Sequence, residues 1–443
     1  MLSKHLVSSV LIQIPVFILG VVGGIFSTRI LGDEGKGVFS LFQANSQLFV
    51  LIFSFGIQTG IVYFVAGKKI KESLVAGMSV YIFLFSSLLL FLLLLITYFF
   101  GGTGIILSDN YAFPTYILTL FFLYFFAFLN TILGSFLQAH SLFKITNFVS
   151  LLNSILNALV FTVLYFYLNK IEASAWQKLH FVLYTSLFVL ILNTVLWLYY
   201  YKKHIGIKPD YSFKIKDELK PFILYNSAIF IGTLINFLNY RMDLWIVNHY
   251  LTEKELSYYS LAANINQIIL YISVTIGTVL LPNLSGKDEK ERTQTFIQVS
   301  RISFSFFIII TLIAFFVSDF IIPVVYGEEF TLTVIPFKII IPGILFSCNT
   351  QLFATLIVAC KRNILNIIST SVGLVLTLIL DLTLIPLYGI KGAAYATVIC
   401  YIAIFICTFY LSLKKLNMPF TNYFFLTAGD FKLVKEKIQA LLK

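Results

Sequence analysis

Apolar residues in this chain fall in long unbroken stretches separated by short polar segments. The first runs from Leu6 to Ile30, the second from Val38 to Ala66 and the last from Gly392 to Leu413, and twelve such runs can be marked off. A run of about 20 apolar residues is enough to carry a helix across a hydrocarbon core of ~30 Å. The short alternating segments of a membrane β-barrel are absent. The pattern therefore predicts an all-α integral membrane protein with about 12 transmembrane helices. Composition agrees, with 59% hydrophobic and 12% charged residues, against about 25% charged in soluble domains. The basic start (Lys4, His5) is followed by an apolar stretch that continues past Gly20, Gly23 and Gly24 without a small-residue cleavage site, so it reads as a retained span.

Polar residues inside the runs carry the chemistry. The run from Pro221 to Tyr250 holds Arg241 and Asp243 well within it. Ionisable groups near a bilayer centre cost about 2.5–3.5 kcal/mol on insertion scales, and they normally face protein or a watery cavity. On an ideal helix Asn236, Asn239, Tyr240 and Asp243 share one face, a polar stripe suited to a cavity wall, whereas Arg241 points nearly opposite. Lys338 lies between Pro336 and Pro342, which predicts a broken helix with a charge in it, or a lysine reaching to the interface. Asp319 and Asp381 are expected at the outer ends of their spans. Asn130, Gln138, Asn147, Asn153 and Asn157 make the fourth and fifth spans unusually polar, as interhelical hydrogen bonds or as a wall accommodating sugars.

Glycines and charges mark the connections. Pro15 with the Gly20/Gly24 pair predicts close helix packing in the first span, or a gating hinge. Arg29 to Phe39 reads as a tight Gly-rich turn; it lacks the Gly-Lys-Ser/Thr ending of a phosphate loop. Basic residues cluster on alternate connections, at Lys68, Lys69 and Lys71, at Lys202 to Lys220, at Lys287 to Arg292, at Lys361 and Arg362, and at Lys414 and Lys415. By the positive-inside rule both termini are predicted to be cytoplasmic. The net charge of +11 follows this topology, so no nucleic-acid partner is expected. The four cysteines (Cys348, Cys360, Cys400, Cys407) and the five histidines lack metal-site spacing, and no metal is expected.

The motif Arg29-x-Leu-Gly-x-Glu-x-x-Gly37, then Phe55-Gly-Ile-Gln-Thr-Gly60, the span with Asp243, Glu255 to Ala263, Leu281-Pro-Asn-Leu-Ser285, Tyr326-Gly-Glu-Glu-Phe330 and Pro386 to Ala394 follow one another in an order that resembles the polysaccharide flippase branch of the multidrug/oligosaccharidyl-lipid/polysaccharide exporter superfamily. The resemblance extends over essentially the whole chain. Sliding the chain by about half its length aligns Leu31 with Leu251, Phe39 with Tyr259, Ser40 with Ser260 and Gln47 with Gln267. Such a repeat fits two parallel six-helix lobes around a central cavity: residues 1–201, a cytoplasmic linker 202–220, residues 221–413, and a tail 414–443 containing an amphipathic helix.

The resemblance implies a flippase, not an enzyme, that moves an undecaprenyl-pyrophosphate-linked oligosaccharide to the outer leaflet of a bacterial cytoplasmic (inner) membrane by alternating access. Partners so implied are the lipid-linked oligosaccharide, membrane lipids, and a glycan polymerase and glycosyltransferases of the same polysaccharide pathway, such as lipopolysaccharide or capsule biosynthesis. Arg29, Arg241 and Lys338 suit the pyrophosphate, with Asn236, Asn239 and Tyr240 lining the cavity. No cofactor is expected. With no nucleotide-binding motif, drive would come from an H⁺ or Na⁺ gradient, membrane potential or product removal, and Asp243 is the candidate coupling residue, a structural ion pair being the alternative. A multidrug exporter of the same superfamily and a membrane glycan polymerase or ligase remain as alternatives. The first would need acids inside the early spans, and Asp33, Glu34, Glu72, Asp109 and Glu172 all fall in loops or at span ends.

Overall fold

The computed structural model describes residues 2–100, 114–171, 173–416, 418–427 and 429–430. The amphipathic helix expected beyond Asp430 lies outside the described residues. Twelve α-helices occur among them: α1 Leu2–Ser54, α2 Ile57–Ala66, α3 Glu72–Phe99, α4 Pro114–Ala139, α5 Phe143–Lys170, α6 Ala175–His204, α7 Lys220–Tyr250, α8 Glu253–Ser285, α9 Glu289–Tyr326, α10 Val334–Ala359, α11 Ile364–Tyr388 and α12 Ile390–Lys415. Eleven are long and apolar enough to cross a membrane; α2 is the shorter one. The chain is thus an all-α, multi-pass membrane protein, as the pattern predicts.

Local chemistry sets several boundaries differently from the sequence reading. The turn expected over Arg29–Phe39 contracts to one non-helical residue, Gly32 (φ 63°, ψ −170°), inside α1. That left-handed φ is inexpensive only for glycine. The second expected span is interrupted instead at Phe55 and Gly56, both with positive φ (48° and 69°), which separates α2 from α1. Gly20 and Gly24 have open space around them, and Gly23 makes the close contact: a Cβ there would lie 2.5 Å from Asn157 Oδ1 of α5. The break expected around Lys338 does not occur, since α10 is continuous through Pro342. Pro336 falls in the first turn, where backbone N–H groups have no intrahelical acceptor in any case. Pro342 removes only the bond to the Lys338 carbonyl, a loss that membrane helices tolerate when neighbours supply a donor.

The helices group into two compact units, residues 1–257 with 325–327, and residues 258–324 with 328–443. In the first unit α1 packs on α4, α5 and α6, and α7 packs on α1 and α2. Helix α7 therefore clusters with the N-terminal helices, and the unit boundary falls after Ser257 rather than in the 202–220 loop. The contact is intimate: Gly56 passes the backbone of Asn226 and Phe230, and Tyr63 stacks on Tyr225 at 4.1 Å between ring centroids. Phe42, Tyr116, Tyr124 and Phe128 are fully buried or nearly so in this unit's core. The 202–220 loop folds back on α3, where the Asp210 amide donates to the Ser73 carbonyl at 2.9 Å.

In the second unit α12 packs on α10 and α11. Phe296, Phe353 and Tyr423 form part of its core, so Met418, Tyr423 and Phe424, after α12, belong to the fold. Arg301 closes this segment by an ion pair to Asp430, its Nη2 donating to Oδ1 at 3.0 Å and its Nε lying 2.9 Å from Oδ2. Exposed apolar residues recur at helical spacing on outer faces, Leu84, Leu88 and Leu92 on α3 and Ile309, Ile313 and Phe316 on α9. A lipid-facing surface has this form.

Candidate functional site

The embedded charges of α7 are placed by its packing against α1. Trp245 Nε1 donates to the buried Asn45 Oδ1 at 2.8 Å, and Gly37 N donates to Ser257 Oγ at 2.5 Å. The second bond joins residues separated by 220 positions, the same offset that aligns Leu31 with Leu251. The first contact fixes the C-terminal part of α7, and the second the start of α8, beside the helix that follows Gly32.

Along α7 the polar stripe passes from surface to interior. Asn236 is exposed, Asn239 and Tyr240 are half-buried, and Asp243 is only 8% exposed. Asn239 Nδ2 donates to the Ile235 carbonyl one turn back at 3.0 Å, and Asp243 Oδ1 accepts the Leu244 N–H at 2.9 Å. Asn239, Tyr240, Arg241 and Asp243 each make further interactions within the protein. A carboxylate this deep in an apolar helix is costly to leave charged, which suits it to binding a proton or small cation as well as to pairing with a neighbour.

The three cations expected to meet an anion have different surroundings. Arg29 is half-buried, and its Nε donates to the Val325 carbonyl at 2.8 Å. Arg241, half-buried on α7, lies within electrostatic range of Lys36. Lys338 belongs to the second unit, where its ammonium pairs with Asp319 and sits 5.1 Å above the Phe315 ring. Asp319 is largely exposed, in keeping with an interface position. Asp381 lies near the end of α11, as expected, but is buried within the protein at 1% exposed.

Lys36 was not singled out by the sequence, because it stands in a Gly-Lys-Gly stretch that reads as a turn. It is only 5% exposed. Its neighbours Asp33 and Glu34 both pair with Lys254, each at 3.4 Å. Once Gly32 is taken as a point kink, the residues after it continue in helical register, and Lys36 falls on the same buried side as Phe39 and Ser40. That register is the signal which could have found it. Among the described residues, no group of three or more His, Cys, Asp or Glu is arranged to hold a metal.

An array of membrane-length helices with charges held inside it defines a multi-pass protein of the flippase and transporter type of fold. The family model described as "Polysaccharide biosynthesis protein" matches residues 2–287, and the chain belongs to that family. It is 26% identical over 194 residues to the "Probable low-salt glycan biosynthesis flippase Agl15" of Haloferax volcanii, a match spanning 43% of this chain and only 40% of that relative. Its fold is similar to that of the lipid II flippase MurJ in an inward closed conformation, with a TM-score of 0.69 and 18% identity over 93% of this chain and 89% of the other. An inward-facing multidrug resistance transporter of the MATE family, in the MOP superfamily, gives a TM-score of 0.63 and 14% identity over 91% and 94% of the two chains. At these identities the structural likeness is one of fold. The polysaccharide family expected from the motif order is the one the family model shows.

Proposed function

We propose that this protein is a flippase that carries a polyprenyl-pyrophosphate-linked oligosaccharide, undecaprenyl-linked in a bacterium, from the cytoplasmic to the outer leaflet. The observation that carries this reading is the match of residues 2–287 to the polysaccharide biosynthesis family in a chain 93% of which aligns with a flippase fold. The chemistry of the first unit supports it: Arg241 and Arg29 supply guanidinium groups able to grip phosphate oxygens in pairs. On this reading two six-helix lobes rock about a central cavity that takes the headgroup while the lipid tail stays in the bilayer. Both termini face the cytoplasm, and the glycosyltransferases and polymerase of the same glycan act before and after it.

Asp243 is the proposed H⁺ or Na⁺ coupling residue, because its burial makes binding of either cation favourable. The test is transbilayer movement of a fluorescent lipid-pyrophosphate oligosaccharide in vesicles. Wild type is expected to flip it, Arg29→Ala and Arg241→Ala to flip it poorly, and Asp243→Asn to flip without dependence on the ion gradient. Normal flipping in both arginine variants removes them from the site, and unchanged ion dependence in Asp243→Asn removes the coupling role. The MATE-like fold favours a second reading, export of cationic drugs. Efflux of a cationic dye with no lipid movement would establish that reading instead.

A further inference from the structure

The connections that follow α2 and α8 carry the same pattern, Gly67-Lys68-x-x-Lys71-Glu72 and Gly286-Lys287-x-x-Lys290-Glu291, close to the repeat offset that joins Gly37 to Ser257. Their backbones turn alike. The glycine amide donates four residues back, Gly67 to the Tyr63 carbonyl at 3.2 Å and Gly286 to the Pro282 carbonyl at 3.3 Å. The lysine amide donates three residues back, Lys68 to Val65 at 3.0 Å and Lys287 to Leu284 at 3.4 Å. In each unit the motif borders a cavity, of about 420 Å³ in the first and about 440 Å³ in the second, and in both its first lysine and its glutamate line the wall.

Neutral groups hold these lysines. Lys69, also in the first wall, donates to the Tyr63 hydroxyl with its ammonium 3.6 Å from the centroid of that ring, and Lys287 donates to the Thr295 hydroxyl at 2.7 Å. Among the described residues no carboxylate lies at ion-pair distance from Lys68, Lys69 or Lys287, whereas Lys71 pairs with Asp210, Glu72 with His140 and Arg301, in the second wall, with Asp430. Lys68 has a φ of 50°, where glycine is the inexpensive residue, so a charged side chain is kept there against the backbone's preference. Apolar surface lies beside the charge, Val65 and Ala139 in the first cavity and Ile297 in the second. Both cavities sit where membrane-length helices begin, α3 at Glu72 and α9 at Glu289.

We propose that each cavity holds the phosphate group of an anionic phospholipid, its oxygens on the motif's lysines and its glycerol backbone on the apolar wall. A basic pocket at the end of a membrane helix suits such a headgroup, and the proposed topology puts both connections at the cytoplasmic leaflet. The lipid is resident and is not the cargo, so the inference does not depend on the flippase reading. Glu291 offsets part of the charge of Lys287, and Glu72 is already engaged by His140, so the first cavity binds more tightly than the second.

The test counts lipids retained by the full-length protein in non-ionic detergent, by native mass spectrometry, during titration with phosphatidylglycerol or phosphatidylcholine. Wild type is expected to retain two phosphatidylglycerol molecules in preference to phosphatidylcholine. Lys68→Gly and Lys69→Gln should weaken the tighter site, and Lys287→Gln the other, by about fivefold for each charge removed, while Lys69→Arg and Lys287→Arg should keep the binding. Lys68→Gly relieves the left-handed φ as it removes the charge, so its loss of lipid cannot come from unfolding. Lys216→Gln, in the 202–220 loop and outside both cavities, should change nothing. Lysine-dependent retention that survives excess inorganic phosphate supports the lipid assignment; retention that phosphate competes away overturns it in favour of a free phosphate. Unchanged retention in the combined Lys68→Gly and Lys69→Gln variant overturns the first cavity, and unchanged retention in Lys287→Gln overturns the second. A wild type without preference over phosphatidylcholine, or a loss in Lys216→Gln as large as in the motif variants, overturns both, since the attraction is then diffuse surface charge.

Discussion

Replacing Gly37 by alanine tests whether the close approach at the start of α8 sets the geometry around Lys36. A Cβ at Gly37 would lie 2.7 Å from the Glu253 carbonyl, 2.8 Å from the Ser257 nitrogen and 2.9 Å from Ser257 Oγ, where ordinary contact begins at 3.4 Å. Two of the three are backbone atoms, so the clash is relieved only if the helices part by roughly 0.7 Å, the difference between 3.4 and 2.7. Overpacking of this kind costs about 1–3 kcal/mol. Against it stands a gain of about 0.5–1 kcal/mol for replacing a helical glycine by alanine. Gly24 lies in the same helix with nothing within 4 Å of its Cβ position. Gly24→Ala therefore receives the gain without the clash, and the difference between the two variants isolates the clash at about 1–3 kcal/mol. Equilibrium unfolding by SDS in mixed micelles, read by tryptophan fluorescence, measures both. If Gly37→Ala proves as stable as Gly24→Ala, the close approach does not constrain this region.

Other perturbations follow from the same contacts. Asp430→Asn breaks the charge pair with Arg301 and is expected to destabilise the second unit by about 3–5 kcal/mol, since both partners are largely buried. Burial alone would raise the Asp430 carboxyl, but donation from the Thr427 hydroxyl and amide and from Arg301 outweighs it and holds the group below the usual carboxylate range. A folded pKa below the unfolded one gives stabilisation that is full above about pH 4 and is lost as pH falls through the folded value. The melting gap between wild type and Asp430→Asn should therefore be wide at pH 7 and close in acid, and a gap independent of pH counts against the pair. Trp245→Phe removes one donor to the buried Asn45 oxygen and should cost about 1 kcal/mol in the same unfolding assay. Lys338→Met should change stability by no more than about 1 kcal/mol, because its partner Asp319 is mostly in solvent; a larger loss would show that the pair is structural.

Fold class was legible because hydrophobic runs of membrane length report one-dimensional information that needs no tertiary contact to interpret. The placement of small residues was not. Gly20, Gly23 and Gly24 look alike in sequence, yet only Gly23 meets a neighbouring helix, and which one does so depends on where Asn157 of α5 arrives. The same applies to charge. Asp243 could be recognised because it interrupts a long apolar run, whereas Asp381 stands five residues before Pro386 near the end of its run, where nothing in the sequence marks its burial by the protein. Lys36 was hidden by its flanking glycines. A glycine-flanked lysine reads as a turn until one knows that Gly32 alone makes the bend.

The sign of the embedded charge bears on what such a protein can carry. Lys254 is neutralised by Asp33 and Glu34, Lys338 by Asp319 and Arg301 by Asp430, so each of these cations arrives with its own counter-charge. Lys36 has no carboxylate at ion-pair distance among the described residues, and its ammonium lies 5.7 Å from the centroid of the Phe39 ring. On the proposed reading a buried ammonium favours an anionic headgroup over a cationic drug, a difference that grows as water is excluded. Competition measures it directly. Inorganic pyrophosphate should protect the Lys36 amine from acylation by a small membrane-permeant reagent, while ethidium at equal concentration should not. Protection by ethidium alone would mean that the excess positive charge is compensated within the protein and that the cargo is cationic after all.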